Sequence, residues 1–334
     1  MVCKAVFSAA SGNAGRAWDA ATHKSIGMKS AVQRCWMSSS DFHFFQYGAA
    51  MLKFPAVIRG CLCLLFVLLF AGCGTAQPDA LQSVRTRGVI RIGTAGDYRP
   101  MSFLNPATGK YEGFDAALAE DLARSLGVKL EYVPTTWPTL MRDTLARKFD
   151  LALCGITITP ARKQQALMSC GYLDNGKTVL CRAADAGKYT TLPAIDRPEV
   201  RVMENPGGLN EKFARRHLTR ATLIIHPVNE EIPGLVASGK ADVMITEIME
   251  AAFYSARDSR LAAPLLNAPF TRGQIGALLP PGSDPLLEYV NDFIGRERES
   301  GRLDELKAIY LYGHGDGNRV PRKTQKPACV PAAP

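Results

Sequence analysis

The segment VIRIGTAGDYRP, residues 89–100, decides the fold of this 334-residue chain. Apolar and polar residues alternate from Val89 to Thr94, which predicts a strand, and the Gly-Asp-Tyr-Arg-Pro sequence after it predicts a turn. Four further elements follow, and the spacing of their apolar residues identifies each of them. They are helices over residues 116–126 and 139–147, and strands over residues 129–133 and 150–154. Because strands and helices alternate, we expect an α/β sheet with ligand-binding residues at its strand ends.

A second alternation of strands and helices follows the first. Its predicted strands cover residues 200–203, 222–225 and 242–245, and its predicted helices cover residues 210–218 and 230–238. A return strand over residues 273–280 and helices over residues 285–300 and 303–311 complete the first unit. The pattern predicts two lobes, joined by two crossover strands, with a ligand cleft between them. The predicted first lobe comprises residues 77–180 and 273–312, and the predicted second lobe comprises residues 181–272.

Residues 51–76 have the composition of a secretory signal peptide. Lys53 and Arg59 precede an apolar run, and small residues follow that run. The run is too short to span a bilayer comfortably as a mature helix. Residues 1–50 show no sustained period, and we interpret them as an over-extended reading frame or as a genuine N-terminal extension. We therefore expect export to the periplasm, with either lipid attachment at Cys73, which lies in a lipobox-like sequence, or ordinary cleavage after Ala76.

The positive charge of the chain lies mainly at its two ends. Of the formal net charge of +9, residues 1–76 contribute +5 and residues 316–334 contribute +3. The middle of the chain is therefore close to neutral, and no basic stripe predicts binding of nucleic acid. The C-terminal end, residues 313–334, is rich in basic residues and proline, which predicts a disordered tail.

Three of the nine cysteines, Cys154, Cys170 and Cys181, lie within the predicted lobes. No two cysteines have the spacing of a metal site, and three cannot all pair with one another. We interpret them as mostly buried small apolar residues, with room for one disulfide in an oxidising compartment.

Two carboxylates follow the predicted strand that ends at Ile245. Glu247 and Glu250 are three residues apart, which predicts that they share one face of a helix. Neighbouring carboxylates repel each other, which tends to keep one of them protonated, and a protonated carboxyl can act as a general acid. Solvent exposure on an ordinary helix is the simpler interpretation of the same spacing.

From about Val89 to Tyr312 the chain resembles the family 3 periplasmic solute-binding proteins. These are the type II two-lobe amino-acid receptors of ABC transporters, and within them the chain is most similar to the cyclohexadienyl dehydratase branch. Each shared segment is a weak signal alone, but together they occur in order and at matching spacing. The segments are residues 96–100, 113–115, 133–143, 155–158, 172–178, 205–215 and 226–227.

The resemblance implies two catalytic residues. Glu250 matches the general acid of the dehydratase branch. Asn210 matches a residue at the start of the second lobe's first helix, where an amide can hydrogen-bond a leaving hydroxyl. Capping of that helix is the competing interpretation of Asn210.

The resemblance also implies a set of substrate-binding residues. Arg162 would clamp a carboxylate with its planar guanidinium, assisted by Thr157, and Trp137 would stack on the substrate ring. A surface arginine and a core tryptophan are the simpler alternatives. Glu247 replaces the family's ammonium-binding aspartate, and Leu209 replaces a threonine that contacts ligand in the family. The remaining positions that the resemblance places at the cleft are Asp97, Tyr98, Gly155, Gly208 and Lys177, of which Lys177 could equally be a hinge residue.

The implied function is a decarboxylating dehydration of prephenate to phenylpyruvate, or of arogenate to phenylalanine, without a metal or organic cofactor. The alternative is an amino-acid receptor that delivers its ligand to an ABC permease. In both cases the partner is a small-molecule carboxylate. Membrane contact is expected only through the signal peptide or a lipid anchor at Cys73.

Overall fold

The computed structural model describes residues 79–312. The predicted N-terminal extension, signal peptide, Cys73 and C-terminal tail lie outside these residues. Within them, no helix combines the length and the apolar character that a membrane crossing requires.

The first lobe is built on a five-stranded sheet with the strand order β5-β1-β6-β15-β7. Strand β1 (Val89–Thr94) lies parallel to β5 (Lys129–Pro134) on one side and to β6 (Leu151–Ala152) on the other. The late strand β15 (Leu278–Leu279) joins antiparallel to β6 and to β7 (Leu167–Met168). The α-helices of this lobe are α1 (Ala80–Arg87), α2 (Phe114–Leu126), α3 (Leu140–Leu145), α4 (Pro160–Lys163), α9 (Asp284–Glu299) and α10 (Arg302–Lys307), followed by a π-helix over Ala308–Tyr312.

A small three-stranded sheet lies between β1 and α2 in the sequence. It consists of β2 (Asp97–Tyr98), β3 (Ser102–Asn105) and β4 (Lys110–Glu112). Gly113 then leads into α2 with a φ angle of +122°, and a Cβ atom there would lie 2.6 Å from the carbonyl oxygens of Pro100 and Met101. Only glycine fits this position without strain, so it fixes where the turn of the opening motif meets the helix.

The second lobe is built on another five-stranded sheet, with the order β11-β10-β12-β9-β13. Strand β10 (Arg201–Glu204) is parallel to β11 (Thr222–Ile225) and β12 (Val243–Glu247), while β9 (Lys177–Arg182) runs antiparallel to β12 and to β13 (Leu261–Ala262). Alternate residues of these strands enter two apolar clusters on opposite faces of the sheet. The α-helices of this lobe are α5 (Leu192–Ile195), α6 (Leu209–His217), α7 (Ile232–Ala237) and α8 (Ile248–Arg257).

Two short strands connect the sheets. The chain leaves the first sheet through β8 (Leu173–Asn175) and returns to it through β14 (Gly273–Ile275), and these strands pair antiparallel to each other. Two lobes linked by two crossover strands confirm the predicted α/β fold class. The carboxyl ends of β1, β6, β10 and β12 lie at the gap between the lobes, where the site is found.

The strand predicted over residues 150–154 is shorter, Leu151–Ala152, and the helix predicted over 139–147 covers Leu140–Leu145. Three further elements differ from the sequence pattern. The predicted return strand over 273–280 is divided into β14 and β15, with Gly276 between them, where an added Cβ would lie 2.8 Å from the Ile158 side chain. The predicted helix over 230–238 starts as a 3₁₀ turn, Asn229–Glu231, before α7, which has a proline in its first turn. Strand β12, predicted over residues 242–245, runs two residues further, to Glu247.

The cysteines of the lobes have different states. Cys154 and Cys181 are free and buried, which agrees with their interpretation as small apolar residues. Cys170 is disulfide-bonded.

Candidate active site

A pocket lies between the two lobes. Asp97 is the only predicted site residue that does not line it. Its carboxylate instead accepts a hydrogen bond from the indole Nε1 of Trp137 at 3.0 Å. The lining residues are Tyr98, Trp137, Gly155, Thr157 and Arg162 from the first lobe, and Lys177, Asn205, Gly208, Leu209, Asn210, Asn229, Glu247 and Glu250 from the second.

Glu247 is the last residue of β12, and its extended backbone places it before α8 rather than on it. The prediction that Glu247 and Glu250 share a helix face is therefore wrong, because the strand extends past Ile245. The Glu247 carboxylate accepts hydrogen bonds from Tyr98 Oη at 2.6 Å, from Thr157 Oγ1 at 2.6 Å and from Lys177 Nζ at 2.8 Å.

These contacts keep Glu247 ionised although it is buried. Burial acts to raise the pKa of this carboxyl, but the Lys177 charge and the hydrogen bonds from Lys177, Thr157 and Tyr98 outweigh burial and lower the pKa to about 2. Glu247 is thus a fixed anion at neutral pH.

Glu250 lies in the first turn of α8 and is 0% exposed to solvent. Burial, together with the neighbouring Glu247 charge, raises the pKa of its carboxyl to about 8 against the lowering effect of hydrogen bonds from Thr246 and Asn229. The Asn229 amide donates to Oε1 at 3.1 Å, and the Thr246 hydroxyl lies against Oε2. Glu250 is therefore protonated at neutral pH and has a proton to donate.

Lys177 begins β9 directly opposite Glu247 in the antiparallel register. Only 7% of it is exposed, and its ammonium donates to both Glu247 and the Asn210 side-chain oxygen. Because the Asn210 oxygen is occupied in this way, the Asn210 amide nitrogen is left as a hydrogen-bond donor. Lys177 is thus part of the pocket, two residues beyond the end of the crossover strand β8.

Asn210 is the second residue of α6 and does not cap it. Gly208 is the N-cap residue, with extended backbone and no side-chain cap. The capping interpretation of Asn210 is therefore wrong, and the amide is available to the pocket. Leu209 lines the pocket with an apolar side chain.

Arg162 lies in α4, where the Thr159 hydroxyl accepts from its backbone N–H. One guanidinium nitrogen, Nη1, donates to the Thr157 carbonyl at 2.7 Å. Within residues 79–312 the other guanidinium N–H groups have no acceptor and Arg162 forms no ion pair. Burial lowers the pKa of the guanidinium, against the opposing Glu247 charge, but the group remains a cation at neutral pH. A partly desolvated guanidinium with free donors is suited to a carboxylate.

Tyr98 and Trp137 form an aromatic wall of the pocket, with ring centroids 5.9 Å apart and ring planes at 77°. Gly155 lies directly beneath Tyr98 with φ +73°, and a Cβ atom there would collide with the tyrosine ring. The Gly155 N–H donates to the buried Asp115 carboxylate at 2.5 Å, which holds the strand end in place. Burial raises the pKa of Asp115 to about 7.

The sequence analysis did not identify two residues that line the pocket, Asn205 and Asn229. Asn229 is 3% exposed and its amide donates both to Glu250 and to the Asp97 carbonyl of the other lobe, at 2.9 Å. Their position in the sequence could have indicated a pocket residue, because both asparagines follow strands, β10 and β11, that end at the cleft. Nothing in the local spacing separates them from turn asparagines, which are common.

Comparisons with known proteins agree with this architecture. Residues 90–313 match the family of bacterial extracellular solute-binding proteins, family 3. The cyclohexadienyl dehydratase of Pseudomonas aeruginosa is 39% identical over 259 residues, covering 78% of this chain and 95% of the relative. The L-cystine-binding protein TcyJ of Escherichia coli is 26% identical, covering 72% of this chain and 90% of the relative.

A solved structure shows the same relationship. The ancestral amino acid-binding protein AncCDT-1, described as a precursor of cyclohexadienyl dehydratase, has a TM-score of 0.64 and 33% identity. The match covers 70% of this chain and 99% of that chain. Similar proteins therefore include both an enzyme and binding proteins, and the choice between these functions depends on the site.

Proposed function

Because this chain belongs to the bacterial extracellular solute-binding proteins of family 3, we propose that it uses the cleft of that fold for catalysis, as a cyclohexadienyl dehydratase. One observation carries the proposal above the others. Glu250 is fully buried, lines the pocket, and has a pKa of about 8, so that it holds a proton at neutral pH. A neutral carboxyl in the pocket supplies the proton that a dehydratase requires.

The proposed reaction is the decarboxylating dehydration of a cyclohexadiene acid. Glu250 donates its proton to the ring hydroxyl as the carbon–oxygen bond breaks, and water leaves. The bond between the ring and its carboxylate breaks as well, its electron pair enters the ring, and carbon dioxide departs. Aromatisation supplies the driving force, so the protein needs to provide only the proton, correct placement and exclusion of water.

The other pocket residues support substrate placement in this proposal. Arg162 holds one carboxylate with its free N–H groups, and the Asn210 amide donates to the leaving hydroxyl. Trp137 packs against the ring. Tyr98 and Thr157 reach across the cleft to Glu247, and this closure excludes water from the reaction.

We place this activity in the periplasm, since the family that the chain matches is extracellular and the sequence predicts export. Lipid attachment at Cys73 would tether the protein to a membrane surface. The reaction as proposed uses groups of the protein alone, without a metal or organic cofactor.

An amino-acid receptor is the second candidate function. It is favoured by the similarity to binding proteins such as the L-cystine-binding relative, and by the opposite charges of Arg162 and Glu247 in the pocket. In that case an ABC permease would be the partner and no chemistry would follow binding.

Turnover of prephenate by the purified protein tests the proposal, with the absorbance of phenylpyruvate as the readout. Glu250→Gln keeps the shape of the side chain and removes the acidic proton, so we expect kcat to fall by about 10² to 10⁴. Glu199→Gln, at an exposed position of the second lobe, is the matched control and should leave kcat unchanged. Full activity of Glu250→Gln would exclude Glu250 as the acid. A wild-type protein that binds amino acids without turnover would establish the receptor function instead.

A further inference from the structure

Asn229 lines the pocket beside Glu250 and is only 3% exposed. Its side-chain nitrogen donates one hydrogen to the Asp97 carbonyl of the first lobe at 2.9 Å and the other to Glu250 Oε1 at 3.1 Å. The Asp97 carbonyl can only accept, so the end of the amide that faces it must be the nitrogen. The orientation of the Asn229 amide is thereby fixed.

The side-chain oxygen of Asn229 is a buried acceptor that the protein does not use. Both hydrogens of the amide nitrogen are engaged, but within residues 79–312 Oδ1 has no hydrogen-bond partner. Such an acceptor costs free energy, because folding has removed it from water without replacing the hydrogen bond. Since the nitrogen and oxygen of an amide share one carbon, Oδ1 lies next to the Glu250 carboxyl. A ligand group that reaches Glu250 can therefore satisfy Oδ1 if it carries an O–H or N–H donor.

Neighbouring acceptors of the pocket are already engaged. The Glu247 carboxylate accepts three hydrogen bonds from the protein, and the Asn210 oxygen accepts one. Asn205 is another asparagine of the lining, but Asn229 is the one that is hydrogen-bonded to Glu250. Among residues 79–312, Asn229 Oδ1 is thus an unused acceptor placed directly beside the acid.

The leaving hydroxyl of the proposed substrate is both a donor and an acceptor. Its oxygen must take the Glu250 proton through a lone pair, whereas its own hydrogen needs an acceptor in a pocket that excludes water. Without another acceptor nearby, this hydrogen would turn to a carboxyl oxygen of Glu250. The substrate would then direct a hydrogen, instead of a lone pair, at the acid. An acceptor beside Glu250 prevents that orientation.

We propose that Asn229 is a catalytic residue whose Oδ1 accepts the hydrogen of the leaving hydroxyl and so turns a lone pair of that hydroxyl toward Glu250. This role rests on the proposed dehydratase function, and it applies equally to prephenate and arogenate, which carry the same ring hydroxyl. In the step, the Glu250 proton moves to the hydroxyl oxygen, which leaves with the electron pair of the carbon–oxygen bond. Its original hydrogen stays on it, bonded to Asn229. The departing molecule is water, and Glu250 is left as a carboxylate.

The experiment compares a ligand that has the hydroxyl with one that lacks it. Calorimetry measures the affinities for prephenate and for phenylpyruvate in a Glu250→Gln background, where an amide N–H replaces the acidic O–H and turnover is slow. Phenylpyruvate also lacks the ring carboxylate of prephenate, but a carboxylate cannot donate to Oδ1. Asn229→Leu and Asn229→Ala each remove the acceptor. Asn267→Leu, at an exposed position of the same lobe, is the matched control.

We expect both Asn229 variants to weaken prephenate binding by about tenfold or more and to change phenylpyruvate binding by less than about threefold. With Glu250 in place, kcat for prephenate should fall by about 10² in both variants, while Asn267→Leu changes neither affinity nor kcat. An equal loss of affinity for the two ligands would indicate a role in lobe closure alone and would overturn the proposal. Unchanged prephenate affinity, or unchanged kcat, in a folded variant would overturn it too. If one variant does not fold, the other decides.

Turnover and binding together separate this inference from the function on which it rests. If the wild type binds prephenate without converting it, the dehydratase proposal fails, and the two affinities still decide whether Asn229 binds the hydroxyl. Turnover that is unaffected in the Asn229 variants would support the dehydratase and contradict this role of Asn229. A wild-type protein that does not bind prephenate would contradict both.

Discussion

At the scale of single residues, Glu247 and Glu250 have the same side chain but opposite protonation states at neutral pH. Both are buried, so burial acts to raise the pKa of both carboxyls. Glu247 is paired with the Lys177 charge and stays ionised, while the hydrogen-bonding partners of Glu250 are uncharged and leave it protonated. The identity of the hydrogen-bond donors therefore assigns an anion to one position and an acid to the other.

This difference predicts a pH profile. Glu250 must be protonated to donate its proton, and its pKa is about 8. We expect kcat to be constant from pH 6 to 7 and to fall about tenfold per pH unit well above pH 8. Glu247, with a pKa of about 2, contributes no change in this range. Stopped assays of the initial rate between pH 6 and 10 check this, and a rate that stays constant to pH 10 would argue against Glu250 as the acid.

At the scale of elements, strand β12 places charged groups at both of its ends. At one end its register with β9 sets Glu247 opposite Lys177. At the other end Asp242 binds Arg182 at the end of β9 and Arg201 at the start of β10, with N–O distances of 2.9 to 3.0 Å. The three central strands of the second sheet are thus held in one register, which also sets the pocket side chains at the opposite end.

Replacement of this aspartate tests the contribution of the cluster. Burial acts to raise the Asp242 pKa, but hydrogen bonds from Arg201 and Arg182 lower it to about 2, from 3.8. We expect Asp242→Asn to lower the free energy of unfolding at pH 7 by about 3 kcal/mol, because two arginines lose their buried partner.

The pH dependence of this effect has a defined sign. A carboxyl with a lowered pKa stabilises the folded protein fully above its unfolded pKa, and the contribution is lost as the pH falls from about 4 to 2. Urea unfolding at pH 7 and at acidic pH should therefore show the largest difference between Asp242→Asn and wild type at pH 7. Asp258 forms an ion pair with Arg260, two residues away at the protein surface. Asp258→Asn should therefore leave the free energy of unfolding nearly unchanged at both pH values. An equal loss at both pH values would contradict the ionic role.

At the scale of the whole molecule, the pocket exists because the lobes lie close together. Three hydrogen bonds cross the cleft. Tyr98 and Thr157 donate to Glu247, and Asn229 donates to the Asp97 carbonyl. At the cleft the Gly207 backbone also approaches Pro138 of the first lobe, where an added Cβ would lie 2.6 Å from the proline Cγ. Closure thus depends on a contact that admits no side chain.

Gly207→Ala should hold the lobes apart. Its φ angle of +81° strains any substitution, so Gly239→Ala, with φ +79° and no atom closer than 4.0 Å to the added Cβ, is the matched control. We expect both variants to lose about 1 kcal/mol of stability from backbone strain. Only Gly207→Ala should increase the radius of gyration in X-ray scattering and lower kcat/KM, by about tenfold or more. Equal effects of the two variants on kcat/KM would contradict a role in closure.

Much of the fold could be predicted from the sequence, because the spacing of apolar residues within each segment indicates whether it forms a strand or an amphipathic helix. The element bounds were less predictable. The extension of β12 to Glu247 depends on its pairing with Lys177 of β9, 70 residues away in the chain. At the break between β14 and β15 the chain changes its pairing partner, from β8 to β6 and β7. Pairing and packing over such distances leave no signature in the residues themselves.

The sequence by itself determined the α/β class, the two lobes and the residue types that face the cleft, because these follow from local pattern and from motifs carried in order along the chain. Only the tertiary structure decided the state of each ionisable group. A carboxyl's pKa depends on its burial and on the charges within a few ångströms, and for Glu247 and Glu250 these come from Lys177, Tyr98, Thr157 and Asn229, which the fold brings from distant parts of the chain.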